Sequence, residues 1–366
     1  MRAAVFHGKD DIRLEDVPDP TCGPDEVLLA VHATGICGTD AHEFASGPHM
    51  PPLHDRHPFS GHRGPMILGH ELTGVVREAG ARVRGFASGD LVVTGAGISC
   101  GECGQCRRGR TNLCTRYYTI GLHRDGGLAQ LCAVPAATCL HVAPYGLTAD
   151  AATLAQPMSI AVHSMRRGRL QPDEHAVIVG AGGIGAFLTY AVTSVTDRVA
   201  VLDIDEERLR IATNLRAAHA LRLGDGIDPA AAVADWALEP DVVYEVSGTR
   251  AGLETALSLL PPGGRLVLVG LQGEFVPMDL RRIALAELEV IGPSAHVCGA
   301  DLPTALQLLA ARDGSWDDVA PIALSLDDLV EEGLRPLAER RSTRIKTIVD
   351  PWAPTTRPTQ MRHADA

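Results

Sequence analysis

Four cysteines stand close together in one short segment, in the pattern C-x2-C-x2-C-x7-C. They are Cys100, Cys103, Cys106 and Cys114. The glycines between them allow the loop to curl until the four sulfur atoms converge, and tetrahedral Zn²⁺ accepts four thiolates. Two local disulfides or four unrelated thiols are the alternative. Because four protein ligands leave no position for a substrate, we predict a structural zinc site here.

A second chemical pattern is the run AVIVGAGGIGAF, in which an apolar strand-like stretch leads through glycines into a helix. This context predicts a dinucleotide site, because a glycine backbone can approach a pyrophosphate at a helix N-terminus. A plain turn is the alternative. The residues predicted to bind the cofactor are Gly180, Gly182, Gly183, Ile184, Gly185, Asp203, Arg208, Val269, Gly270 and Leu271.

Asp203 ends the next strand-like run, where its carboxylate is expected to bind the hydroxyls of the adenosine ribose. Its negative charge opposes a 2'-phosphate, and Ile204 and Asp205, which follow it, supply no arginine. NAD is therefore favoured over NADP. Arg208 is expected either to stack on the adenine or to lie exposed on a helix.

Two further segments contain side chains that bind metals. One is Gly35–His42, with Cys37, and the other is Gly69-His70-Glu71. Taken alone, a cysteine is usually a small buried side chain, and a histidine more often satisfies a hydrogen bond than binds a metal. Their role depends on what surrounds them.

The elements that must position these residues change along the chain. Up to about residue 150, short strand-like runs are separated by glycine and proline. From His175 onward, apolar runs alternate with helical ones; the predicted strands are AVIVG, VAVLDI, DVVYEVSG, GRLVLVG and LEVIG, and the clearest helix is DEERLRIATNLRAAHAL. This alternation predicts an α/β fold with a doubly wound parallel sheet.

The predicted domain organisation has three parts. Residues 1–158 form a β-rich zinc-binding catalytic domain, completed by residues from about 297 to 351. Residues 159–296 form the dinucleotide-binding domain, and residues 352–366 form a flexible tail because they lack an apolar period. The cleft between the two domains is expected to hold the reaction.

Composition narrows the possible partners. A net charge of -12 argues against nucleic acid or an anionic membrane, since both need a basic face. The N-terminus, MRAAVFHGKDD, reaches charged residues before an apolar signal region could form, and nine cysteines without an export signal favour a reducing compartment. We therefore expect a cytoplasmic protein that acts on a small molecule.

Residues 69–93, GHELTGVVREAGARVRGFASGDLVV, resemble the zinc signature of the medium-chain alcohol and polyol dehydrogenases. The positions that carry the resemblance are Gly69, His70, Glu71, Gly74, Gly80, Val83, Gly89, Asp90 and Val92. The CGTDAH segment, the four cysteines, the glycine run and EVSG at 245–248 also occur in family order. The resemblance covers nearly the whole chain, and CGTDAHEFASGP looks like the 2,3-butanediol dehydrogenases, with the sorbitol and threonine dehydrogenases next.

The resemblance implies a GroES-like catalytic domain, a Rossmann domain, NAD and two zinc ions per chain. The residues implied for catalysis are Cys37, His70 and Glu71 as ligands of a catalytic zinc, Asp40 as the residue that orients His70, and Thr39 and His42 as a path for the substrate hydroxyl proton. It also implies a homodimer or homotetramer associated through the run ELEVIGPSAH.

The chain departs from the family at Gln156, where relatives have a glutamate beside the catalytic zinc. A glutamine oxygen can still bind zinc, so Gln156 remains a candidate ligand. With one thiolate and one carboxylate, the zinc site is then formally neutral, whereas a glutamate would make it negative. We hypothesise that Gln156 lowers the pKa of the substrate hydroxyl relative to relatives with glutamate; neutral drift is the alternative.

The predicted activity is reversible hydride transfer between a secondary alcohol, a vicinal diol or polyol similar to 2,3-butanediol, and NAD, with the corresponding ketone as product. Two alternatives remain open at this point. One is a cyclitol or amino-cyclitol dehydrogenase of specialised metabolism, and the other is a non-catalytic NAD-binding zinc protein.

Overall fold

The computed structural model describes residues 1–361, which divide into two compact units. The first contains Met1–Ser159 and the chain from Val297 onward, and the second contains Ile160–His296. Within the described residues, no helix combines the length and the apolar character that crossing a membrane requires.

The first unit is built around the strand Glu26–Gly35, whose residues alternate between buried and partly exposed positions because successive side chains point to opposite faces. It belongs to an eight-stranded sheet within the described residues. The other strands of this sheet are Glu71–Ala79, Leu91–Thr94, Leu131–Pro135, Cys139–His141, Ile322–Leu324, Ile348–Val349 and Arg357–Pro358. The antiparallel register pairs Gly35 with Glu71, which brings the ends of two ligand-bearing segments together.

The rest of the first unit consists of short elements. A three-stranded sheet contains Arg2–Gly8, Asp11–Asp16 and Met66–Ile67, and Gly97–Ile98 pairs with Tyr118–Thr119. The helices are Gly38–Ser46, Gly104–Arg107, Thr111–Leu113, Ala136–Thr138, Ala143–Tyr145, Ala149–Ala152, Cys298–Ala310, Leu329–Leu334 and Arg335–Ala338, and the helix Ala155–Gly168 continues into the second unit.

The second unit is a parallel sheet with helices between its strands. In spatial order the six strands of the described chain are His219–Arg222, Val199–Asp203, Ala176–Val179, Val242–Glu245, Arg265–Leu268 and Glu289–Ile291. The helices are Gly183–Thr193, Glu206–Asn214, Pro229–Asp235, Arg250–Ser258 and Leu280–Leu285. The strand order reverses beside Ala176–Val179, and such a switch point is where doubly wound sheets bind ligands.

One predicted helix is too long. The run DEERLRIATNLRAAHAL forms a helix only over Glu206–Asn214, and its end passes into the strand His219–Arg222. Arg216 has a φ of 72°, which is incompatible with continuing the helix. The sequence analysis missed this strand because its four residues, HALR, carry no continuous apolar run.

The predicted flexible tail is wrong for residues 352–361. Arg357–Pro358 pairs antiparallel with Ile322 and Ala323, and Met361 is only 2% exposed. The remaining predicted tail residues, 362–366, lie outside the described part of the chain. The tail prediction failed because Arg357 makes contacts far along the sequence that no local pattern reveals.

A buried carboxylate holds this C-terminal segment in place. The oxygens of Asp150 accept hydrogen bonds from both terminal nitrogens of Arg357 (2.8 and 2.9 Å), from His32 Nε2 (2.8 Å) and from the amide of Gln360 (2.8 Å). Burial alone would raise the pKa of Asp150, but Arg357 and His32 hold that pKa well below its usual range. The pair therefore contributes stability wherever Asp150 is ionised.

Replacing Arg357 with alanine is expected to lower the free energy of unfolding by about 3 kcal/mol at pH 7, because the Asp150 carboxylate stays buried without its main partner. Urea unfolding measures this. Because the folded-state pKa of Asp150 is depressed, the difference from wild type should persist above about pH 4 and shrink as the pH falls further. Arg13→Ala removes an exposed ion pair with Asp11 and serves as control. Equal midpoints for the two variants would contradict the prediction.

Candidate metal centres and dinucleotide site

The structure brings the four clustered cysteines to one point. The Sγ atoms of Cys100 and Cys114 are 3.4 Å apart, those of Cys103 and Cys106 are 3.5 Å apart, and those of Cys100 and Cys106 are 3.9 Å apart. A tetrahedron with zinc–sulfur bonds of 2.3 Å has edges of about 3.8 Å. The donor set and its spacing therefore fit Zn²⁺.

Backbone amides surround these sulfur atoms. The amide of Cys103 donates to Cys100 Sγ, and the amides of Cys100 and Arg116 donate to Cys114 Sγ, each over 3.3 Å. Backbone hydrogen bonds, the first of them involving Glu102, lower the pKa of Cys100 to about 7, and those of Cys106 and Thr115 lower the pKa of Cys103 to about 5. Both shifts favour the thiolate, which is the form that binds a metal, whereas burial raises the pKa of Cys106 to about 11.

Replacing Cys106 with serine is expected to reduce the zinc content from two ions per chain to about one, because three thiolates bind Zn²⁺ much less tightly than four. A colorimetric zinc assay on denatured, desalted protein measures this. Cys22→Ser removes a cysteine outside both clusters and should retain both ions. A Cys106→Ser protein with undiminished zinc would contradict the prediction.

A second cluster contains Cys37, His70 and Glu71, whose ligand atoms all lie within 4.8 Å of one another. Cys37 is the N-cap of the helix Gly38–Ser46, and Glu71 begins the strand paired with Glu26–Gly35. His70 and Glu71 are buried and Cys37 is partly exposed. A thiolate, an imidazole and a carboxylate form a donor set that suits Zn²⁺, and three ligands leave room for another.

Asp40 lies between two of these ligands. Its Oδ2 accepts the amide of Cys37 at 2.9 Å, which fixes the first turn of the helix. Its Oδ1 lies 3.5 Å from His70 Nδ1, and neither of these buried atoms has a hydrogen-bond partner among the described residues. Burial alone would lower the pKa of His70, but Asp40 and Cys37 raise it above its usual value. Asp40 thus faces Nδ1 and leaves Nε2 as the nitrogen for a metal.

The sequence analysis missed Lys346, which lies against Glu71. Its Nζ donates to both carboxylate oxygens of Glu71 (2.9 and 2.8 Å) and to the carbonyl of Ile36 (3.0 Å). Burial alone would lower the pKa of Lys346, but Glu71 raises it, so the ammonium is charged. The formal charge expected from sequence included only zinc, one thiolate and one carboxylate. Lys346 adds one positive charge to that sum. Its rarity was the available signal, since the chain has only two lysines.

The proposed proton path begins beside this cluster. Thr39 Oγ1 lies 3.7 Å from Cys37 Sγ, and His42 is exposed one turn further along the same helix. The ring of His42 stacks on His49 with centroids 4.5 Å apart. Gln156, another predicted ligand, is 5% exposed in the first turn of Ala155–Gly168.

The glycine run forms the loop between the strand Ala176–Val179 and the helix Gly183–Thr193, which contains Ile184. Gly180 has a φ of 104°, and a Cβ there would lie 2.8 Å from the amide nitrogen of Ser247. A Cβ on Gly185 would lie 2.0 Å from the carbonyl oxygen of Gly180. These two positions therefore require glycine, whereas Gly182 faces open space apart from Arg208, whose Nη1 would be 3.9 Å from an added Cβ.

Asp203 is tied to this loop. Its Oδ2 accepts the amide of Ala181 (2.6 Å) and its Oδ1 accepts the amide of Asp205 (2.9 Å), and the residue is only 6% exposed. Each oxygen keeps a lone pair that a ribose hydroxyl could use. The Arg208 guanidinium lies beside the glycine loop, and the residue is partly buried in the first turn of the helix Glu206–Asn214.

Two more loops meet the glycine loop at this end of the sheet. The amides of Val269 and Gly270 donate to the carbonyl of Glu245 (2.8 and 2.9 Å), and Leu271 is 87% exposed. The Glu245 carboxylate, fully buried, accepts the amides of Ser247 and Gly248, and burial raises its pKa. Sequence analysis did not predict that Glu245 holds these two loops together. The available signal was its position as the first residue of EVSG, at the end of a predicted buried strand.

Known proteins share both units. The family model "Alcohol dehydrogenase GroES-like domain" matches residues 23–144, and "Zinc-binding dehydrogenase" matches residues 183–311. Sorbitol dehydrogenase of Bacillus subtilis (strain 168) is 31% identical over 297 residues, covering 80% of this chain and 81% of that protein.

Two solved structures extend the likeness to nearly the whole chain. The 2R,3R-butanediol dehydrogenase from Bacillus subtilis has a TM-score of 0.87 and 27% identity, covering 96% of this chain and 99% of that one. A zinc-binding dehydrogenase from Sinorhizobium meliloti 1021 bound to NADP has a TM-score of 0.79 and 26% identity, with the same coverage of 96% and 99%.

Proposed function

Because the chain belongs to the zinc-dependent medium-chain alcohol and polyol dehydrogenase family, we propose that it interconverts a vicinal diol or polyol and the corresponding ketone with NAD. In the oxidising direction, the alcohol loses a hydride to NAD and a proton to the protein, which gives a ketone and NADH. The observation that carries the proposal is the convergence of Cys37, His70 and Glu71 at one point.

Cys37 and His70 are proposed to hold the catalytic zinc, with Glu71 and Gln156 as further candidate ligands. A zinc ion held there would polarise the substrate oxygen, and NAD would accept the hydride, because zinc is redox-inert. Asp40 orients His70 through Nδ1, and Lys346 balances the charge of Glu71. Zinc, the Cys37 thiolate, Glu71 and Lys346 sum to one positive charge, which the neighbouring Asp40 carboxylate offsets.

Side chains of the helix Gly38–Ser46 carry the proton of the substrate hydroxyl to solvent. Thr39 Oγ1 accepts the proton of the substrate hydroxyl as it gives up its own, which passes through the cofactor ribose and the exposed His42 to solvent. Removing the proton from the hydroxyl oxygen favours hydride loss from the neighbouring carbon, because an alkoxide donates hydride far more readily than an alcohol does.

NAD rather than NADP is the proposed cofactor, and Asp203 supports that choice. Its carboxylate is held in place by two amides, so it cannot turn away from a 2'-phosphate. The cytoplasm is the proposed compartment, because none of the nine cysteines forms a disulfide in the structure and a reducing environment would keep them so.

A screen for NADH formation from vicinal diols, polyols and cyclitols tests the proposal on zinc-replete protein. Turnover of a diol or polyol, lost in Cys37→Ser, supports it. Preference for cyclitols would indicate the other substrate branch. If no alcohol is oxidised and no corresponding ketone is reduced with NADH, the proposed function is wrong.

Replacing Gln156 with glutamate is expected to shift the pH of half-maximal kcat/KM upward by about one unit or more. An added carboxylate near the reacting oxygen disfavours loss of the hydroxyl proton, by about 4 kcal/mol at 4 Å before solvent reduces the effect. Gln307→Glu adds the same charge on an exposed helix position and should leave the profile unchanged. An unmoved profile in Gln156→Glu would refute the charge argument.

A homodimer is also proposed, through the edge strand Glu289–Ile291 of the six-stranded sheet. Val290 is 40% exposed there, and Leu280 and Leu285 on the preceding helix are 74% and 75% exposed. Among the described residues, no strand pairs with the outer edge of Glu289–Ile291. An unpaired edge and exposed apolar side chains favour pairing with a second copy.

Replacing Leu280 and Leu285 together with glutamate is expected to convert the dimer to a monomer, because charges would have to be buried at the contact. Light scattering coupled to size-exclusion chromatography measures the mass. Ile227→Glu changes an apolar residue of the same unit, 43% exposed and outside this strand and helix, and should remain dimeric. A wild-type monomer would refute the assembly.

A further inference from the structure

The preference for NAD was predicted from Asp203 and the residues that follow it directly in sequence. The parallel sheet places an arginine, Arg222, beside Asp203. Strand His219–Arg222 runs parallel to Val199–Asp203, and the register pairs Asp203 with Arg222. Neighbouring strands lie about 4.8 Å apart, so the two residues end adjacent strands at the same edge of the sheet.

The Arg222 side chain extends across the end of the Asp203 strand. Its Nε donates to the carbonyl oxygen of Ile204 at 3.4 Å, and its Nη1 lies 3.4 Å from Glu206 Oε1. The side chains of Arg222 and Glu206 are 63% and 77% exposed. An ion pair this exposed and this long is weak, so the guanidinium can turn toward a stronger anion at little cost.

Unlike the Arg222 guanidinium, the carboxylates of Asp203 and Asp205 are fixed by hydrogen bonds to the backbone. Asp203 accepts the amides of Ala181 and Asp205, and Asp205 accepts the amides of Glu207 and Arg208 as the N-cap of its helix. Both carboxylates are thus committed to the backbone that shapes the loop. On the other side of the loop, Arg208 lies near Gly182.

We propose that Arg222 determines cofactor specificity together with Asp203, by offering its guanidinium to a 2'-phosphate on the adenosine ribose. The inference rests on the proposed function and concerns the same dinucleotide site. Asp203 repels the phosphate and Arg222 attracts it, because guanidinium and phosphate form charge-assisted, bidentate hydrogen bonds. The preference for NAD is then a balance between two residues on adjacent strands, and NADP is tolerated rather than excluded.

Fluorescence titration of NADPH and NADH, with protein of matched zinc content, tests this balance. Arg222→Gln is expected to lower the affinity for NADPH relative to NADH by about tenfold, the scale of one charge-assisted hydrogen bond. Arg210→Gln, which removes an exposed arginine paired with Glu207, should keep the wild-type ratio. Because Arg222 is exposed, its replacement is not expected to impair folding.

If the wild-type protein binds NADPH too weakly to measure, the Arg222 substitution is tested in a protein that also carries Asp203→Asn. Asp203→Asn removes the repulsion and should raise NADPH affinity relative to NADH, and adding Arg222→Gln should reverse most of that gain. If the ratio is insensitive to Arg222 in both backgrounds while NADH still binds, the inference is wrong and the proposed function stands. If wild type binds neither dinucleotide, both are wrong.

Discussion

The ion pair between Glu71 and Lys346 ties together the segments that carry the second metal cluster. Lys346 also donates to the carbonyl of Ile36, next to Cys37, and Glu71 follows His70 directly. Both charges are buried, and a buried charge without its partner is strongly destabilising. The chain must therefore bring its C-terminal part to the two ligand-bearing segments in order to fold. This ion pair therefore helps to fix the geometry of the site.

The two metal clusters reach their geometry in different ways. The four-cysteine cluster forms from one loop of fifteen residues, whose amides also stabilise the thiolates. The cluster of Cys37, His70 and Glu71 depends instead on the pairing of two strands, in which Gly35 lies opposite Glu71. A shift of that register by one residue would turn Glu71 to the other face of the sheet. The cluster predicted to be structural is thus organised locally, and the cluster proposed to be catalytic is organised by long-range strand pairing.

Acidic residues of the dinucleotide unit hold its loops in place and also lie at the proposed binding site. Asp203 holds the glycine loop through the amide of Ala181, and the same carboxylate is the residue proposed to meet the ribose. Glu245 joins its own loop to the carboxyl end of the neighbouring strand, close to Gly180. Because parallel strands end at a common edge, loops far apart in sequence combine into one surface at the switch point. Changes there affect loop structure and ligand binding together.

The sequence by itself determined the fold class, the four-cysteine pattern and the glycine loop, because each depends on residue types at short, regular spacing. The family signature around His70 linked Cys37 to Glu71 before any geometry was known. Only the tertiary structure decided that Lys346 faces Glu71, that Arg222 lies beside Asp203, and that Arg357 holds residues 352–361 against Asp150. Each of these contacts joins residues from 19 to 275 positions apart. Local periodicity carries no information about such pairs, because strand order and register decide which distant side chains meet.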